Sequence, residues 1–340
     1  MKLFIKTYGC QANINDSEIL AGKLQEQGNE IVFNEREADK IIVNTCSVKN
    51  KTQSKILHYI KQHADKKIII GGCLPKTLDL KKQFPSINLI DTINTSKLNL
   101  PIMRKNKSVA IIQISQGCLN FCTFCATKPA RGELKSYRIG DIKREVEKAV
   151  EGGCKIIYLT SQDNGCYGFD KNTNLAKLLN ILTKVNGNYK IRVGMANPQH
   201  IKKIKKELIK SMENEKIQKF LHIPVQSGSD KVLKNMKRGH TAEDFVLIAK
   251  EFRKAFPRKK FKDSTIATDI IVGYPTETDA DFQDTLDLIK EIKPEVLNIS
   301  AFSSRPRTKA SKLKQLDSKI IKERTKKLNK IYWIYRKKIK

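Results

Sequence analysis

The stretch that decides the fold is SQGCLNFCTFC, residues 115–125. Three residues separate Cys118 from Cys122, two separate Cys122 from Cys125, and no fourth partner is evident nearby. Zinc sites usually combine paired cysteine elements with four protein ligands in total. This spacing instead suits three corners of a cubane iron–sulfur cluster, which leaves one iron free to bind a small molecule.

The residues that flank this stretch alternate between apolar strand patterns and amphipathic helical patterns. The pattern VAIIQIS at 109–115 predicts a buried strand that ends at the cysteines. Further strands are predicted at 155–160, 190–194, 219–225, 265–273 and 296–302. Six β/α units indicate a full or partial parallel (β/α) barrel, in which active sites form at the carboxyl ends of the strands. Cys118 follows the first of these strands and therefore lies on that face.

The first third of the chain carries a similar alternation. Strands are predicted at 2–8, 40–45 and 67–72, and the helical pattern 14–28 begins with Asn15 as its N-cap and Glu18 three residues later. This order predicts an N-terminal open parallel α/β sheet domain with helices on both faces. The polar, proline-containing residues 94–108 are predicted to form a linker.

Three more cysteines follow the three predicted N-terminal strands, one after each strand. They are Cys10, Cys46 and Cys73. The carboxyl ends of parallel strands lie along one edge of an open sheet, where ligands bind. A single free cysteine is usually an ordinary core residue, but three at equivalent strand ends favour a common binding site.

The charge and composition narrow the class of protein. The net charge is +31, and residues 301–340 carry 15 Lys/Arg against two acids, ending in a basic amphipathic helix predicted at about 317–338. This bias indicates a polyanionic partner such as a nucleic acid, although a lysine-rich surface also favours solubility. No apolar run reaches membrane-spanning length, and no signal peptide is evident, so we expect a cytoplasmic protein. Eight cysteines are too few for a disulfide scaffold.

The sequence resembles a known family of enzymes. C-x₃-C-x₂-C after the first strand of a barrel is similar to the signature of radical S-adenosylmethionine enzymes, and the three-cysteine domain before it resembles the methylthiotransferases. The segments LTSQDNGCYG and ARGELKSY resemble the archaeal and eukaryotic branch. Other matching segments are TYGCQANINDSE, VNTCSVKNKTQSK, IGGCLPK, HIPVQSGSDKVLKNMKRGHT, TDIIVGYPTETDADFQDT and SSRPRTKASKL.

This resemblance implies a transferase with three parts. These are an N-terminal methylthiotransferase domain at 1–104, a radical S-adenosylmethionine barrel at 105–316 and a basic C-terminal helix at 317–340. Family members usually continue into a small all-β RNA-binding module, which is not present in this chain. The implied activity is insertion of a methylthio group at C2 of N6-threonylcarbamoyladenosine, next to the anticodon at tRNA position 37.

The resemblance also implies two 4Fe-4S clusters. Cys118, Cys122 and Cys125 would hold the first, whose open iron chelates S-adenosylmethionine and whose electron cleaves it to a 5′-deoxyadenosyl radical. Cys10, Cys46 and Cys73 would hold the auxiliary cluster, which carries the sulfur to be inserted. An electron donor and a source of sulfur are then required as partners. Cys154 and Cys166 fall outside both sets and are interpreted as structural.

Six further residues are candidates for binding S-adenosylmethionine. Phe124 resembles an aromatic residue near the adenine, with simple packing as the alternative. Polar side chains after the barrel strands suit an ammonium group, although a helix cap, an ion pair or an amide network would explain them equally well. These are Ser161, Gln162, Asp163, Arg192 and Gln226.

Four residues are candidates for contact with the substrate tRNA. Arg131 and Glu133 lie just past the cluster loop and are predicted to meet the substrate nucleotide, because arginine both stacks on bases and pairs with phosphates. Arg305 and Arg307 are further phosphate candidates, with a solvated basic loop as the alternative. An unpaired base in an anticodon loop can be splayed into a pocket at low cost.

Other functions stay open on the sequence alone. A methylthiotransferase of this kind could instead act on isopentenyladenosine in tRNA or on a ribosomal protein. A different class of function is a non-catalytic RNA-binding protein stabilised by zinc at 118–125. Iron–sulfur content separates this last alternative from the enzyme.

Overall fold

The computed structural model describes residues 1–48, 50–63 and 68–339. Lys49, residues 64–67 and Lys340 lie outside the described residues, and these include the first residue of the predicted strand 67–72. The chain forms two compact units. The first comprises Met1–Cys118, Cys125–Gln162 and Val185–Tyr189, and the second comprises Leu119–Phe124, Asp163–Lys184 and Lys190–Lys340. These units do not follow the predicted division after residue 104, which stays a prediction about domains.

The first unit begins with a five-stranded parallel sheet, as predicted. The strand order is β2–β1–β3–β4–β5, and every pair is parallel. Apolar side chains from β3, β4 and α2, including Ile41, Ile56 and Ile70, form the buried core beside the sheet. The elements are β1 (Lys2–Thr7), α1 (Gln11–Glu26), β2 (Glu30–Val32), β3 (Lys40–Thr45), α2 (Asn50–Gln62), β4 (Ile68–Gly72), α3 (Leu80–Gln83) and β5 (Asn88–Leu89).

The same unit continues with two longer parallel strands and a short antiparallel ribbon. β6 and β9 pair in parallel, from Val109 opposite Ile156 to Gln113 opposite Thr160. β7 and β8 pair antiparallel and close a loop that carries a short helix. The elements are β6 (Val109–Gln113), β7 (Ser115–Gln116), α4 (Thr127–Arg131), β8 (Lys135–Ser136), α5 (Ile139–Glu151) and β9 (Ile156–Thr160).

The second unit repeats the β/α alternation. Its strands β11, β12 and β13 form a parallel sheet in that order. α9 and α10 each begin with a capping box, formed by Thr241 with Asp244 and by Thr278 with Asp281, which satisfies free N–H groups of the first turn. The elements are α6 (Leu175–Leu182), β10 (Lys190–Val193), α7 (Pro198–Met212), β11 (Phe220–His222), α8 (Asp230–Asn235), α9 (Ala242–Ala255), β12 (Thr265–Val272), α10 (Asp279–Ile292), β13 (Val296–Ala301) and α11 (Ser318–Ile339).

The predicted basic C-terminal helix is α11, and one of its faces is anchored. Leu328 is fully buried, and the Tyr335 hydroxyl donates to the carbonyl oxygen of Pro294 at 3.1 Å. The buried guanidinium of Arg324 pairs with Glu277 and Asp279, at 2.7 Å to each. The opposite face exposes lysines. Among the described residues, no helix has the length and apolar character needed to cross a membrane.

Two predictions about local structure are wrong. α1 begins at Gln11 with Cys10 at its N-cap, so Asn15 is not a cap; it is buried and donates to the Ile111 carbonyl oxygen at 2.8 Å. Residues 94–108 are not a free linker. The N–H of Met103 donates to the Glu18 carbonyl oxygen at 3.0 Å, and a Cβ on Gly22 would lie 2.5 Å from the Pro101 carbonyl carbon. Polar composition predicted exposure here, but the segment packs on α1.

Candidate metal centres

Three strand ends of the first unit meet in register and position three cysteines. Thr7 lies opposite Asn44, and Thr45 lies opposite Gly72. Beyond the strands, the N–H of Tyr8 donates to Asn44 at 2.8 Å, and the N–H of Cys73 donates to Thr45 at 2.9 Å. These backbone bonds bring Cys10, Cys46 and Cys73 to one edge of the sheet, the edge predicted from the order of the strands.

The backbone is closely packed beside these thiols on the side of the sheet. Cys46 and Cys73 are buried, whereas Cys10 is exposed. Gly9 has φ +122°, and a Cβ at this position would lie 2.8 Å from the Cβ of Cys46. Asn13 donates to the Thr45 carbonyl oxygen at 2.8 Å and accepts a bond from the Cys10 thiol at 3.3 Å. The site is therefore closed on the side of the sheet and open at Cys10.

Burial disfavours the charged form of the Cys46 and Cys73 thiols in the absence of a metal group. Burial raises the pKa of Cys46 to about 11, and the nearby Cys73 and Cys10 add to that rise. Burial also raises the pKa of Cys73, while the positive charge of Arg131 opposes that rise. Since thiolates are the metal-ligating form, binding of a cationic cluster would release protons from this site.

A buried cluster of charged side chains lies beside these thiols. The guanidinium of Arg131 donates to Asp16 Oδ2 at 2.7 Å, and the ammonium of Lys97 lies 2.8 Å from Asp16 Oδ1. The side chains of Arg131 and Lys97 are each 1% exposed, and that of Asp16 is 0% exposed. The predicted contact of Arg131 with the substrate nucleotide is therefore corrected, because its guanidinium is sequestered in the core of the first unit.

The loop that carries Cys118 and Cys125 is held by its backbone. Gly117 has φ +75°, and a Cβ there would lie 1.9 Å from the Glu133 carbonyl oxygen, so only glycine fits. The N–H of Gly117 donates to Gln162 Oε1 at 2.6 Å, and the N–H of Cys118 donates to the Gly132 carbonyl oxygen at 3.2 Å. The strand ribbon β7–β8 and these bonds fix where the loop starts and ends.

Two sulfur atoms of this motif accept hydrogen bonds. In the first unit, Cys125 Sγ accepts from the N–H of Thr127 at 3.3 Å, at the start of α4. In the second unit, Cys122 Sγ accepts from Arg238 Nη1 at 3.5 Å, and Arg238 also donates to the Pro224 carbonyl oxygen. Donors aimed at cysteine sulfur suit thiolate ligands of an iron–sulfur cluster.

The residues between these cysteines are anchored within the second unit. Thr123 donates its N–H to Met236 at 3.1 Å, accepts from the N–H of Ala310 at 2.9 Å, and its hydroxyl lies 2.8 Å from that of Tyr274. Asn120 donates to Asp163 Oδ2 at 2.9 Å. Segment 119–124 is thus fixed by bonds to four distant parts of the chain.

The donor sets fit two iron–sulfur clusters. All eight cysteines are reduced thiols, so no disulfide competes for them. Each candidate set supplies three thiols, with a further position left for another ligand. A thiol-only donor set is also compatible with zinc, which prefers four protein ligands in structural sites.

Comparison with known proteins assigns the family. A model of the radical SAM superfamily matches residues 112–289, and a model described as uncharacterized protein family UPF0004 matches residues 2–92. A protein of Pyrococcus abyssi named probable threonylcarbamoyladenosine tRNA methylthiotransferase is 42% identical over 97% of this chain and 84% of its own length. This chain belongs to the threonylcarbamoyladenosine tRNA methylthiotransferase family.

Other relatives agree with this assignment. The Homo sapiens threonylcarbamoyladenosine tRNA methylthiotransferase is 36% identical over 98% of this chain and 63% of its own length. Among solved structures, the radical S-adenosylmethionine methyltransferase TsrM of Kitasatospora setae has a TM-score of 0.63 at 12% identity, covering 91% of this chain and 77% of that one. That likeness shows the fold, an α/β fold with parallel sheets, and confirms the predicted fold class.

The three cofactor-binding candidates that follow β9, Ser161, Gln162 and Asp163, have different surroundings in the structure. Asp163 is 1% exposed and its oxygens accept from Gly165, Asn197 and Asn120. These bonds support the backbone at Gly165 and Asn197 and the side chain of Asn120, and the predicted role of Asp163 in holding the methionine amino group stays a prediction. Gln162 supports the cysteine loop through Gly117. Ser161 Oγ is buried and has no hydrogen-bond partner among the described residues, so its predicted role stays a prediction.

The other cofactor candidates also stay predictions. The guanidinium carbon of Arg192 lies 3.9 Å from the ring centre of Phe220. Gln226 has φ +77°, and its buried Oε1 has no partner among the described residues. A strained backbone with an orphaned polar atom is typical of ligand sites. Phe124 packs against a core that includes Met236. Such packing is the alternative to the predicted contact with the adenine.

The substrate candidates divide by exposure. The carboxylate of Glu133 is 68% exposed and pairs with Lys128 at 2.9 Å. Arg307 is exposed, in keeping with a phosphate contact or a solvated loop. Arg305 is only 4% exposed. Its guanidinium would have to become exposed to reach a polyanion in solvent, and its predicted contact with phosphate stays a prediction.

One cluster of ligand-type residues outside both cysteine sets forms a hydrogen-bond network. Asp163, Cys166 and His200 place one potential ligand atom each within 4.8 Å of one another. The Cys166 thiol donates to the Asp163 carbonyl oxygen at 3.2 Å, and His200 Nε2 lies 3.0 Å from Asn120 Oδ1. Burial lowers the pKa of His200, while the charge of Asp163 opposes that effect. This network anchors Asn120, and the structural role of Cys166 stays a prediction.

Sequence reasoning missed the residues that support the two sites. In the first unit these are Asn13, Asp16 and Lys97, and in the second unit Asn120 and Arg238. One signal was present, because α1 buries several polar side chains and thus lacks a clean apolar stripe. Nothing in the sequence around Arg238 indicates its contact with Cys122.

Proposed function

We propose that this chain inserts a methylthio group at C2 of N6-threonylcarbamoyladenosine, next to the anticodon at tRNA position 37. The observation that carries the proposal is the presence of two three-thiol sets in a chain that is 42% identical to an archaeal relative of that name. One set is a continuous loop and the other is gathered from three strand ends. Two separate chemical tasks, radical generation and sulfur delivery, require two such sites.

The residues of each set have distinct roles in this proposal. Cys118, Cys122 and Cys125 hold a 4Fe-4S cluster and leave one iron for S-adenosylmethionine. A second set, Cys10, Cys46 and Cys73, holds an auxiliary 4Fe-4S cluster. When bound, these groups supply electron transfer to S-adenosylmethionine and a site for the sulfur that is inserted.

The protein itself orients these groups and limits access of water to them. The loop anchors at Gly117 and Thr123 fix the ligands of the first set. The closed sheet side and the exposed Cys10 leave the auxiliary site open on one side only. Ser161, Gln162, Asp163, Arg192 and Gln226 stay candidates for contact with S-adenosylmethionine, and Glu133, Arg305 and Arg307 for contact with tRNA.

The exposed face of α11 is part of the proposal. Lys322, Lys326, Lys327 and Lys330 are exposed, while Leu328 on the opposite face is buried. A row of lysines on an anchored helix suits phosphate contacts. An electron donor, a source of sulfur and a cytoplasmic location complete the proposal.

Nucleoside mass spectrometry of tRNA tests the substrate. Cells that lack the protein should accumulate N6-threonylcarbamoyladenosine and lose its 2-methylthio form, and expression of the chain should restore that form. Unchanged 2-methylthio-N6-threonylcarbamoyladenosine in the deficient cells would overturn the proposal. Loss of a methylthio group from isopentenyladenosine or from a ribosomal protein would favour those substrates instead.

Metal analysis separates the enzyme from the zinc alternative. Anaerobically purified chain should contain iron and sulfide and absorb broadly near 400 nm, the usual signature of iron–sulfur proteins. Zinc without recoverable iron–sulfur would favour the non-catalytic RNA-binding protein.

Salt-dependent binding tests the role of α11. Changing Lys326 and Lys327 to Gln should weaken tRNA binding and reduce the salt slope by roughly 0.7–0.9 for each phosphate that the helix no longer neutralises. The matched control changes Lys250 and Lys290 to Gln, which removes the same charge from lysines already paired with Glu291 and Asp287. Equal effects of both pairs would mean that only net charge matters.

A further inference from the structure

The buried charges beside Cys10, Cys46 and Cys73 do not balance. Asp16 is the one carboxylate bonded to both Lys97 and Arg131, and it also accepts from the Gln113 amide at 2.9 Å. The charge of the more distant Asp91 also favours the charged form of Lys97, but the side chain of Asp91 is 41% exposed and pairs with Lys76. Two cations and one anion leave one net positive charge in a nearly solvent-free core, which is costly without a further anion.

Arg131 also has a free hydrogen-bond donor. Its Nη2 serves Asp16 at 2.7 Å and Asn13 at 3.4 Å. Its Nη1 is buried and has no acceptor among the residues that the structure describes. Buried guanidinium donors are almost always paired, so an unpaired one indicates a missing acceptor.

After Asp16, the next source of negative charge is the sulfur site. Burial lowers the pKa of Arg131, and the charges of Asp16 and then of Cys73 and Cys10 oppose that effect and raise it, so the guanidinium lies within electrostatic reach of these thiols. Helix α4, which carries Arg131, packs beside Cys73 through Ala130. Three thiolates around a 4Fe-4S core carry a net negative charge, which matches the unbalanced positive charge of the core.

We propose that Arg131 is the cationic donor that positions an anionic sulfur-ligated group at Cys10, Cys46 and Cys73, with its free Nη1–H donated to that group. This inference rests on the proposed function, because it needs the auxiliary cluster. Arg131 acts through the cluster and is a positioning residue. A positive donor next to cluster sulfur stabilises the reduced form and raises the reduction potential. A role as a brace between α4 and α1 would leave the potential unchanged.

The reduction potential of the auxiliary cluster tests the inference. The background is the full chain with Cys122→Ala, in which the first set has lost a ligand. Iron and sulfide are restored anaerobically, and the potential is followed by electron paramagnetic resonance. Arg131→Gln leaves Asp16 and Lys97 as a neutral pair, so the core keeps balanced charges. We expect a shift to more negative potential, about tenfold in the one-electron equilibrium, or 59 mV.

Two further variants keep the test decisive. Arg324→Gln removes a buried arginine of the second unit that pairs with Glu277 and Asp279, and it should leave the potential unchanged. If Arg131→Gln unfolds or loses its iron, Arg131→Lys is read instead, which keeps the positive charge but lacks the Nη1–H donor. A shift to more negative potential then supports the inference, and a parental potential overturns it, because the bond from Nη1 is part of the inference.

The outcomes separate the inference from the proposed function. If the Cys122→Ala parent holds a cluster and Arg131→Gln has the parental potential, the inference is wrong and the two-cluster proposal stands. If the folded parent holds no iron, the auxiliary cluster does not exist, and the inference falls together with the proposed function.

Discussion

The two cysteine sets of this chain are built in opposite ways. Cys118, Cys122 and Cys125 lie in one loop of the sequence, and residues of that loop are held by bonds to distant residues, such as those from the N–H of Gly117 to Gln162 Oε1 and from the N–H of Thr123 to Met236. The other set depends on sheet register, because Cys10 and Cys46 follow strands whose pairing fixes their separation. The loop thiols are partly exposed, whereas two of the three strand-end thiols are buried.

This difference has a consequence for charge. The loop set is served by Arg238, a partly exposed residue that donates to Cys122. The strand-end set lies beside Arg131, which is buried and tied to Asp16. A buried guanidinium acts through a lower effective dielectric, so its influence on neighbouring sulfur exceeds that of an exposed one. The loop set therefore has a backbone N–H and a partly exposed guanidinium as donors to its sulfur atoms, whereas the strand-end set has a buried guanidinium beside it.

The largest expected effect comes from removing one ligand from each set. Cys122→Ala should abolish formation of 5′-deoxyadenosine, whereas Cys46→Ala should retain it and abolish methylthiolation. Iron content should fall by roughly half in each variant if each set holds a cubane cluster. Anaerobic assays with dithionite would follow 5′-deoxyadenosine and the modified nucleoside separately.

Two outcomes would contradict independent sites. If Cys46→Ala stays folded and keeps its first cluster but forms no 5′-deoxyadenosine, the two sets do not act independently. Normal methylthiolation by Cys46→Ala would mean that Cys46 is a core cysteine and not a cluster ligand.

The next largest effect is expected from a change in the loop backbone, which should affect the loop set and not the strand-end set. Gly117→Ala places a Cβ 1.9 Å from the Glu133 carbonyl oxygen at φ +75°, so the loop must move. We expect it to lose most of the iron of the first set and to keep that of the auxiliary set, as measured by iron analysis and spectroscopy.

The matched control for this variant is Gly153→Ala. Gly153 has φ +87° but open space around its Cβ position, so only the backbone cost of about 1–2 kcal/mol is incurred. Equal loss of iron in both variants would show that backbone strain, rather than the clash with Glu133, causes the loss of iron.

A smaller effect is expected from Arg238→Gln. Loss of the donor to Cys122 should slow cleavage of S-adenosylmethionine about tenfold, in the range found for residues that bond to metal ligands. Lys237→Gln, at the exposed neighbouring position, is the control. If Arg238→Gln shifted the reduction potential of the auxiliary cluster more than that of the first cluster, Arg238 would not be a donor specific to the loop set.

The smallest effect on metal content is expected at Cys154. Its buried thiol donates to the Lys107 carbonyl oxygen at 3.3 Å and lies in neither set. Cys154→Ala should retain all iron and lower stability by about 1 kcal/mol, the usual scale of one hydrogen bond. Thermal unfolding and iron analysis measure the two quantities, and loss of iron would place Cys154 in the metal machinery.

Sequence reasoning succeeded where chemistry is local or follows from topology. Apolar strand patterns alternating with helices predicted the parallel sheets, and cysteines placed after β1, β3 and β4 predicted a shared edge. Both inferences use only the period of the pattern and the direction of parallel strands. The same reasoning predicted that α11 is a basic helix.

It failed where a polar side chain is paired across a long stretch of sequence. Arg131 and Asp16 are 115 residues apart, so nothing near Arg131 indicates that it is buried. The partners of Asp163 were missed in the same way, because Asn120 and Asn197 are 43 and 34 residues away. The exposure of such groups is set by tertiary contacts, which periodicity does not encode.

The polar face of α1 also determines the order in which the protein can be completed during translation. The helix is made early, but Asp16 obtains its partners Lys97, Gln113 and Arg131 only when those residues have left the ribosome. By then the loop 118–125 has also been synthesised. A nascent chain of the first 92 residues holds Cys10, Cys46 and Cys73 but leaves the carboxylate of Asp16 without a counter-ion. The buried surroundings of the strand-end thiols are therefore complete only after both cysteine sets have been synthesised.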